Sequence, residues 1–192
     1  ARTLSAIESF LNEDDEESGE QPVAGVLRVI LFTDIESHAA MVQELGDAAA
    51  RDVLREVEQV TRRSLREFGG AEVKALGDGF LASFGSAQQA IQCAIALQRA
   101  LDTCGPIHGH RPRVRVGLNA GEPISEHEGL FGESVELARR ITTHAGGGEI
   151  LTSQVVRELV AGKGFRFAER VPCGAEGELR LWEVRWREPR PL

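Results

Sequence analysis

The 192-residue chain has few cysteines and no long apolar run, and both absences restrict its class. Cys93, Cys104 and Cys173 are an odd number without the paired spacing of a zinc site. The sequence therefore predicts neither a disulfide framework nor a cysteine-based metal centre. No apolar stretch reaches the length of a membrane span, and the first residues lack a signal-peptide pattern. We expect a protein of the reducing cytoplasm that makes no membrane contact through this chain.

The chain also lacks a surplus of positive charge. Its net charge is −8, from 30 acidic residues against 22 lysines and arginines. Six of the acids lie within residues 13–20, and without them 24 acids face 22 basic residues, a net charge of −2. A nearly neutral domain argues against a nucleic-acid-binding surface.

The remaining composition is that of one globular domain with short extensions. Hydrophobic residues make up 42% and charged residues 27% of the chain, which is ordinary for such a domain. We predict an N-terminal helix fragment and acidic linker over residues 1–22, a folded domain over residues 23–186, and a tail over residues 187–192. The chain begins with Ala1 and not with methionine, which indicates a piece of a longer protein.

Two short stretches each place an aspartate at the end of an apolar run. Val29–Phe32 is continuously apolar, as in a central strand covered on both faces, and Asp34 follows it closely. The second aspartate, Asp78, lies in the turn of a predicted hairpin, between Gly77 and Gly79. Glycines on either side let the backbone turn tightly and let a ligand approach closely.

The order of the predicted elements is βαββαβ, the order of a ferredoxin-like fold. After the first strand the predicted elements are helix Asp47–Phe68, strands Glu72–Leu76 and Phe80–Phe84, helix Ser86–Thr103 and strand Arg113–Leu118. The sequence thus predicts an α+β domain whose central sheet is rich in antiparallel pairs, with helices packed on it and a C-terminal helix and strands added. In this fold the first and third strands are antiparallel neighbours, so we expect Asp34 beside Asp78.

Two carboxylates at this separation repel each other, so we expect a divalent cation between them. Oxygen ligands suit Mg²⁺ or Mn²⁺, which keep several waters and bind substrate phosphates. The alternative is that Asp34 caps a helix beginning near Ser37 and that Asp78 only forms a turn. Either aspartate alone favours that alternative, whereas the two at matching strand ends favour a metal site.

Four motifs together resemble the catalytic domain of the class III nucleotidyl cyclases of bacterial type. They are FTDI at 32–35, KALGDGF at 74–80, VGLNAGE at 116–122 and FGESVELARRI at 131–141. The resemblance covers about Gly25 to Trp186, in the family's order and spacing. It implies conversion of ATP to 3′,5′-cyclic AMP and pyrophosphate by two metal ions at a homodimer interface, GTP being the less favoured substrate. It also implies an upstream regulatory domain in the full-length protein.

The resemblance assigns roles to one side of this site. Asp34, Asp78 and the carbonyl of Ile35 would hold the metal ions, and Lys74 would donate a hydrogen bond to adenine. Gly77 would allow close approach of the nucleotide. By this resemblance Lys74 and the two aspartates form the intact side of the site.

The side implied to come from the partner subunit departs from the family. Its helix, expected over Phe131–Ile141, would carry an asparagine that orients the ribose and, four residues later, an arginine that stabilises the transition-state phosphate. Arg140 matches the arginine, but Glu136 stands at the asparagine position, and Gly129 replaces an aspartate that partners Lys74. An ionised glutamate donates no hydrogen bond and adds negative charge near a triphosphate, which predicts weak or conditional turnover.

Other interpretations remain open at this point. The domain could be a degenerate cyclase homology domain that binds nucleotide or a partner without turnover, or the metal-donating half of a heterodimer. The GDGF turn is also similar to that of diguanylate cyclases, although Gly79 occupies the place of that family's acidic residue. Arg139 and Arg140 could equally be ordinary surface arginines on an amphipathic helix.

Overall fold

The computed structural model describes residues 25–126, 129–170 and 179–187, and these residues form an α+β domain. The predicted N-terminal helix fragment, the acidic linker and Cys173 lie outside the described ranges. The elements are β1 (Arg28–Ile35), α1 (His38–Glu67), β2 (Ala71–Ala75), β3 (Gly79–Phe84), α2 (Ala87–Thr103), β4 (Val114–Gly121), β5 (Ile124–Glu126), β6 (Gly129–Phe131), α3 (Glu133–His144), β7 (Ile150–Ser153), α4 (Gln154–Leu159), β8 (Phe167–Arg170) and β9 (Leu181–Val184).

The main sheet has seven strands in the order β2-β3-β1-β4-β7-β9-β8. Strand β1 pairs antiparallel with β3 on one side and with β4 on the other, and β7 joins β4 in parallel. This arrangement confirms the ferredoxin-like core with added C-terminal strands. The segment before α3 forms a small hairpin of β5 and β6.

Strand β1 is apolar at consecutive positions because both faces of the sheet are covered. Val29 and Leu31 pack in a cluster with residues of α1 and α2, whereas Ile30 and Phe32 pack against residues of α3. All four side chains are at most 7% exposed. The prediction of a central strand covered on both faces is therefore confirmed.

One predicted helix boundary is confirmed and another was wrong. The sequence predicts a short helix over His38–Leu45 that Gly46 separates from the helix beginning at Asp47, and α1 has a kink with non-helical backbone at Gly46, where φ is 76° and ψ is 164°. The helix expected to begin at Phe131 begins at Glu133, because Phe131 pairs with Ile124 as part of β6. No helix in the described ranges is long and apolar enough to cross a membrane.

Helix α3 lies close to the sheet because β4 has a glycine beneath it. A Cβ atom at Gly117 would overlap the backbone nitrogen of Thr142 and the carbonyl oxygen of Ala138. Ala138 is itself fully buried. The small residues at this contact fix the distance of α3 from the central strands, and they thereby set the position of its exposed residues.

Candidate active site

The strand register brings the two predicted aspartates to neighbouring backbone positions. Asp34 lies opposite Gly79 of β3 and opposite Arg115 of β4. The backbone N–H of Ile35 donates to the carbonyl oxygen of Asp78 at 3.1 Å. The predicted meeting of the first strand's end with the hairpin turn is therefore confirmed.

Backbone packing explains the glycine at the start of β3. A Cβ atom at Gly79 would overlap the carbonyl oxygen of Thr33, and the N–H of Phe80 donates to Thr33 Oγ1 at 3.0 Å. On the other side of Asp78, Gly77 has φ of +90°, a conformation that favours glycine, and nothing lies within 4 Å of where its Cβ would be. The turn therefore packs closely against β1 at Gly79, whereas the space beside Gly77 is open.

A basic side chain lies beside each of the two carboxylates. Asp34 forms an ion pair with Arg115, and the two side chains are 27% and 25% exposed. The Oδ2 atom of Asp78 lies 3.7 Å from Nδ1 of His38. We name Asp34, Asp78 and Arg115 the aspartate edge.

Arg115 was missed by the sequence analysis. The signal that could have found it is the strand order itself, because a ferredoxin-like sheet pairs β1 with β4 and so sets Arg115 opposite Asp34. Its Nε atom is buried without a hydrogen-bond partner among the described residues, and so is Nε2 of His38. The aspartate edge therefore contains one donor, Arg115 Nε, that no described residue satisfies.

Within the described residues, no group of three or more His, Cys, Asp or Glu side chains is arranged to hold a metal ion. Two carboxylates alone are a donor set of the kind Mg²⁺ uses when waters and substrate phosphates complete its coordination. The residues of the aspartate edge therefore fit a cation that arrives with a phosphorylated ligand.

A second group of predicted residues lines an apolar cleft of about 250 Å³ between β2, β6 and α3. Lys74, Gly129 and Glu136 lie in its wall, whereas Asp34 and Asp78 do not. Lys74 therefore shares a surface with Glu136, although the sequence analysis groups it with the two aspartates. We call this surface the apolar cleft.

A β-bulge explains how β2 contributes two consecutive residues to the cleft. The pairing of β2 with β3 shifts between Glu72 and Lys74, so Val73 is the additional residue. Val73 packs against the buried cluster that contains Phe32 and Leu81, while Lys74 is exposed. Bulges redirect side chains in this way at functional sites.

The charge of Glu136 is offset within its own helix. Arg139 donates a hydrogen bond from Nε to Glu136 Oε2 at 3.0 Å, and the Nη2 atom of the same ion pair lies 2.9 Å from Oε2. Arg139 also lines the apolar cleft, and Arg140 is exposed on the same helix. The lone negative charge expected at this position is instead one half of an ion pair.

Gly129, which stands at the position of the family's aspartate, has φ of +146°. Side chains rarely adopt this conformation, and a Cβ atom here would lie 3.6 Å from Val73 Cγ1. The β6 backbone therefore favours glycine at this position for a conformational reason.

The described cysteines are not candidates for nucleophilic catalysis. Cys93 is 1% exposed in the core, and burial raises the pKa of its thiol to about 12. The pKa of Cys104 is also raised, first by burial and then by the nearby Glu56. Neither group forms an appreciable fraction of thiolate near neutral pH.

Comparison with known proteins agrees with this geometry. The model of the adenylate and guanylate cyclase catalytic domain matches residues 26–184. An adenylate cyclase of Podospora anserina is 31% identical over 159 residues, covering 70% of this chain and 7% of that protein. A putative adenylate cyclase 3 of Rhizobium meliloti is 40% identical over 96 residues, covering 49% of this chain and 16% of that protein. The chain thus spans a small part of the relatives it matches.

Solved structures share the fold. The adenylyl cyclase CyaB from P. aeruginosa superposes with a TM-score of 0.70 at 19% identity, covering 86% of this chain and 96% of that chain. The guanylate cyclase domain of RhGC from Catenaria anguillulae, solved in complex with GTP, gives a TM-score of 0.73 at 19% identity, covering 84% and 97%. With the family model matching most of its length, the chain belongs to the adenylate and guanylate cyclase catalytic domain family.

Proposed function

We propose that this domain converts ATP to 3′,5′-cyclic AMP and pyrophosphate at the interface of a homodimer. The observation that carries the proposal is the register that pairs Asp34 with Gly79 and joins Ile35 to Asp78 by a backbone hydrogen bond. A carboxylate pair at this position suits the metal-dependent attack of a ribose 3′-oxygen on the α-phosphate. GTP is the less favoured substrate.

Asp34, Asp78 and the carbonyl of Ile35 would hold Mg²⁺ or Mn²⁺. A bound cation supplies neutralisation of phosphate charge and a lower pKa for the attacking hydroxyl. In this structure Arg115 forms an ion pair with Asp34. The buried Nε atom of Arg115 has no hydrogen-bond partner among the described residues. If Asp34 held a cation, the Arg115 guanidinium would be available to donate to a phosphate oxygen of the substrate.

The separation of the apolar cleft from the aspartate edge supports a shared site. One chain presents the carboxylates on one surface and Lys74 with Glu136 on another. A two-fold dimer would bring the aspartate edge of each subunit against the apolar cleft of the other. Large apolar side chains near the cleft support such an interface, since Leu76 is 42% and Phe131 44% exposed. Arg140 would then reach the partner's phosphates.

We expect slow turnover. Glu136 in its ionised form cannot donate a hydrogen bond to the ribose, so one interaction that would orient the sugar is absent. Its pairing with Arg139 removes part of the electrostatic penalty against a triphosphate, but it supplies no donor in exchange. Activity would then depend on conditions, including regulation by upstream parts of a longer protein.

A non-catalytic cyclase homology domain is the second candidate, and the ion pair of Glu136 with Arg139 favours it. A domain that only binds nucleotide, or that gives the metal side to a different partner chain, does not need the ribose donor. Both candidates predict nucleotide binding, and they differ in whether product forms.

Incubation of the purified chain with ATP or GTP and Mn²⁺ distinguishes the catalytic from the non-catalytic candidate. Cyclic nucleotide and pyrophosphate are measured in the same assay. We expect slow formation of cyclic AMP at a rate proportional to the protein concentration, and slower formation of cyclic GMP. Metal-dependent binding of ATP without either product would support the non-catalytic candidate. Absence of both binding and product would contradict both candidates.

A further inference from the structure

Glu36 directly follows Ile35, the residue whose carbonyl would hold a metal ion. The backbone N–H of Glu36 donates to the carbonyl oxygen of Arg113 at 2.8 Å, just beyond the end of β1. Its carboxylate has two further partners, since Oε1 accepts from the backbone N–H of Gly147 at 2.7 Å and Oε2 lies 3.2 Å from Nη1 of Arg113. Glu36 is therefore held by its backbone and by both carboxylate oxygens. We call Glu36, Arg113 and Gly147 the Glu36 anchor.

The other two residues of the anchor also contact each other. Arg113 donates from Nη2 to the carbonyl oxygen of Gly147 at 2.7 Å. Gly147 is buried, and a Cβ atom there would overlap Oε2 of Glu36 and Cβ of Arg113. Only glycine lets the three residues approach this closely, which explains the middle residue of the glycine run 146–148.

The loop that carries Gly147 is itself held in place. The N–H of Gly148 donates to the carbonyl oxygen of Val114 at 2.8 Å. The carbonyl oxygen of Gly148 accepts from Nε1 of Trp186 at 2.9 Å. The side chain of Glu36 is therefore bonded to a loop whose own backbone is fixed against β4.

The hydrogen bonds on either side of Ile35 set the direction of its carbonyl. The N–H of Ile35 donates to Asp78, and the N–H and C=O of a strand residue point to the same side, so this carbonyl faces the hairpin turn. The N–H of Glu36 points the opposite way, toward Arg113. The C=O of Ile35 and the N–H of Glu36 belong to one planar peptide group. Bonds that hold Glu36 therefore also hold the Ile35 carbonyl toward Asp78.

We propose that Glu36 is a positioning residue that fixes the Ile35 carbonyl for a bound cation, an inference that rests on the proposed function. Both carboxylate oxygens of Glu36 are engaged within the anchor, so Glu36 acts through the peptide group that it shares with Ile35. A carbonyl ligand is uncharged, so its contribution depends on its direction. Residues that orient metal ligands in this way contribute about 10–100-fold to metal affinity.

The first test measures binding of the Mn²⁺ complex of 3′-deoxy-ATP to the purified chain by calorimetry. This nucleotide lacks the attacking hydroxyl, so no turnover disturbs the measurement. Glu36→Ala should weaken binding by about tenfold. Glu36→Gln should restore part of the loss, because its amide oxygen still accepts from Gly147 while the charge is absent. A pure charge effect would instead make the two variants equal.

A spectroscopic measurement separates carbonyl coordination from a general loss of stability. The chain is prepared with isoleucine labelled with ¹³C at the carbonyl carbon, and electron–nuclear double resonance of bound Mn²⁺ then detects a labelled carbonyl that ligates the ion. The wild type should show this ¹³C coupling, and Glu36→Ala should lose it. Ile35→Val in the labelled chain should also remove it, which assigns the signal to residue 35.

Two further variants complete the test. Gly147→Ala should weaken binding and remove the coupling as Glu36→Ala does, because the added Cβ atom would displace the Glu36 carboxylate. Glu169→Ala is the matched control, since Glu169 of β8 forms an ion pair with Arg180 at the far edge of the sheet from β2. Its affinity and spectrum should equal those of the wild type, and circular dichroism checks that each variant is folded.

A wild type without the ¹³C coupling overturns the inference, and so does a coupling that survives in Glu36→Ala. If Glu36→Ala, Glu36→Gln and Gly147→Ala bind the Mn²⁺ complex as tightly as the wild type, the anchor does not position a metal ligand and the inference is also overturned. Any of these results with cyclic AMP still formed from ATP leaves the proposed function intact. Failure of the wild type to bind nucleotide with Mn²⁺ overturns both.

Discussion

The aspartate edge and the apolar cleft are assembled by different kinds of interaction. Backbone pairing assembles the aspartate edge, since Asp34, Gly79 and Arg115 share register positions on three adjacent strands. Side chains from a bulged strand, a short hairpin and a packed helix assemble the apolar cleft. Register is difficult to shift by substitution, because a slip moves every side chain to the other face. The cleft can instead change residue by residue, and its sequence departs from the family in this region.

The largest expected effect comes from removing either carboxylate of the aspartate edge. Asp34→Ala or Asp78→Ala should lower metal-dependent nucleotide binding and cyclic AMP formation by more than about a hundredfold, because a cation loses half of its protein carboxylates. Calorimetry and product assays measure both effects, and circular dichroism checks the fold. Asp52→Ala, at an exposed aspartate of α1 paired with His108, is the control and should behave as wild type. Undiminished metal-dependent binding in both edge variants would exclude this metal site.

The apo forms of these two variants should differ in stability. Two nearby carboxylates repel each other, so removing one of them could be expected to stabilise the apo protein. Asp34→Ala should not do so, because it also removes the ion-pair partner of Arg115. Asp78→Ala leaves that ion pair in place and should be the more stable of the two in thermal unfolding.

The second largest effect tests whether the aspartate edge and the apolar cleft meet across a dimer. Asp34→Ala and Arg140→Ala chains, each inactive alone, should recover about a quarter of wild-type activity when mixed in equal amounts, because half the dimers are mixed and each has one intact site. Product formation after mixing measures the recovery. Asp34→Ala mixed with Asp78→Ala is the control, since both changes affect the same half and should give no recovery. If the first mixture also stays inactive while both chains are folded, a shared site is contradicted.

A smaller effect should come from restoring the ribose donor in the apolar cleft. Glu136→Asn should raise the turnover of ATP by about tenfold or more, because a hydrogen bond that strengthens in the transition state lowers the barrier. Initial rates over a range of ATP concentrations separate kcat from KM, and kcat should change more than KM. Glu133→Asn on the same helix is the control. A slower Glu136→Asn enzyme would indicate that the carboxylate itself assists turnover.

The smallest effect is on stability and compares the two glycines of the hairpin turn. Gly79→Ala should cost about 3 kcal/mol of unfolding free energy, because its Cβ atom would overlap the Thr33 carbonyl and separate β1 from β3. Gly77→Ala should cost about 1–2 kcal/mol, since only its positive φ opposes the change. Denaturant unfolding measures both variants. Equal costs would mean that backbone contact does not determine the position of Asp78.

The sequence predicted much of the aspartate edge because its signals are local. A continuous apolar run identified β1, and two glycines around Asp78 identified the turn. The βαββαβ order then determined which strands pair. Arg115 could have been found by the same reasoning, since β4 also pairs with β1.

The apolar cleft was less accessible to sequence reasoning. The alternation of apolar and polar residues in β2 does not predict the bulge between Glu72 and Lys74. The segment before α3 is polar and shows no strand pattern in the sequence, although it forms β5 and β6. The pairing of Arg139 with Glu136 is a common helix spacing, but spacing alone does not select it over other partners. These features follow from contacts between elements distant in the chain.

The sequence by itself determined the family, the fold and the meeting of Asp34 with Asp78, because strand order and turn glycines are encoded in consecutive residues. The tertiary structure decided that Lys74 lines the same cleft as Glu136 and that Glu136 pairs with Arg139. It also decided that Gly129 is held at a positive φ. The physical reason is that the neighbours of these side chains are set by three features: the bulge in β2, the hairpin of β5 and β6, and the close approach of α3 to Gly117. All three features form only when elements distant in the chain pack together.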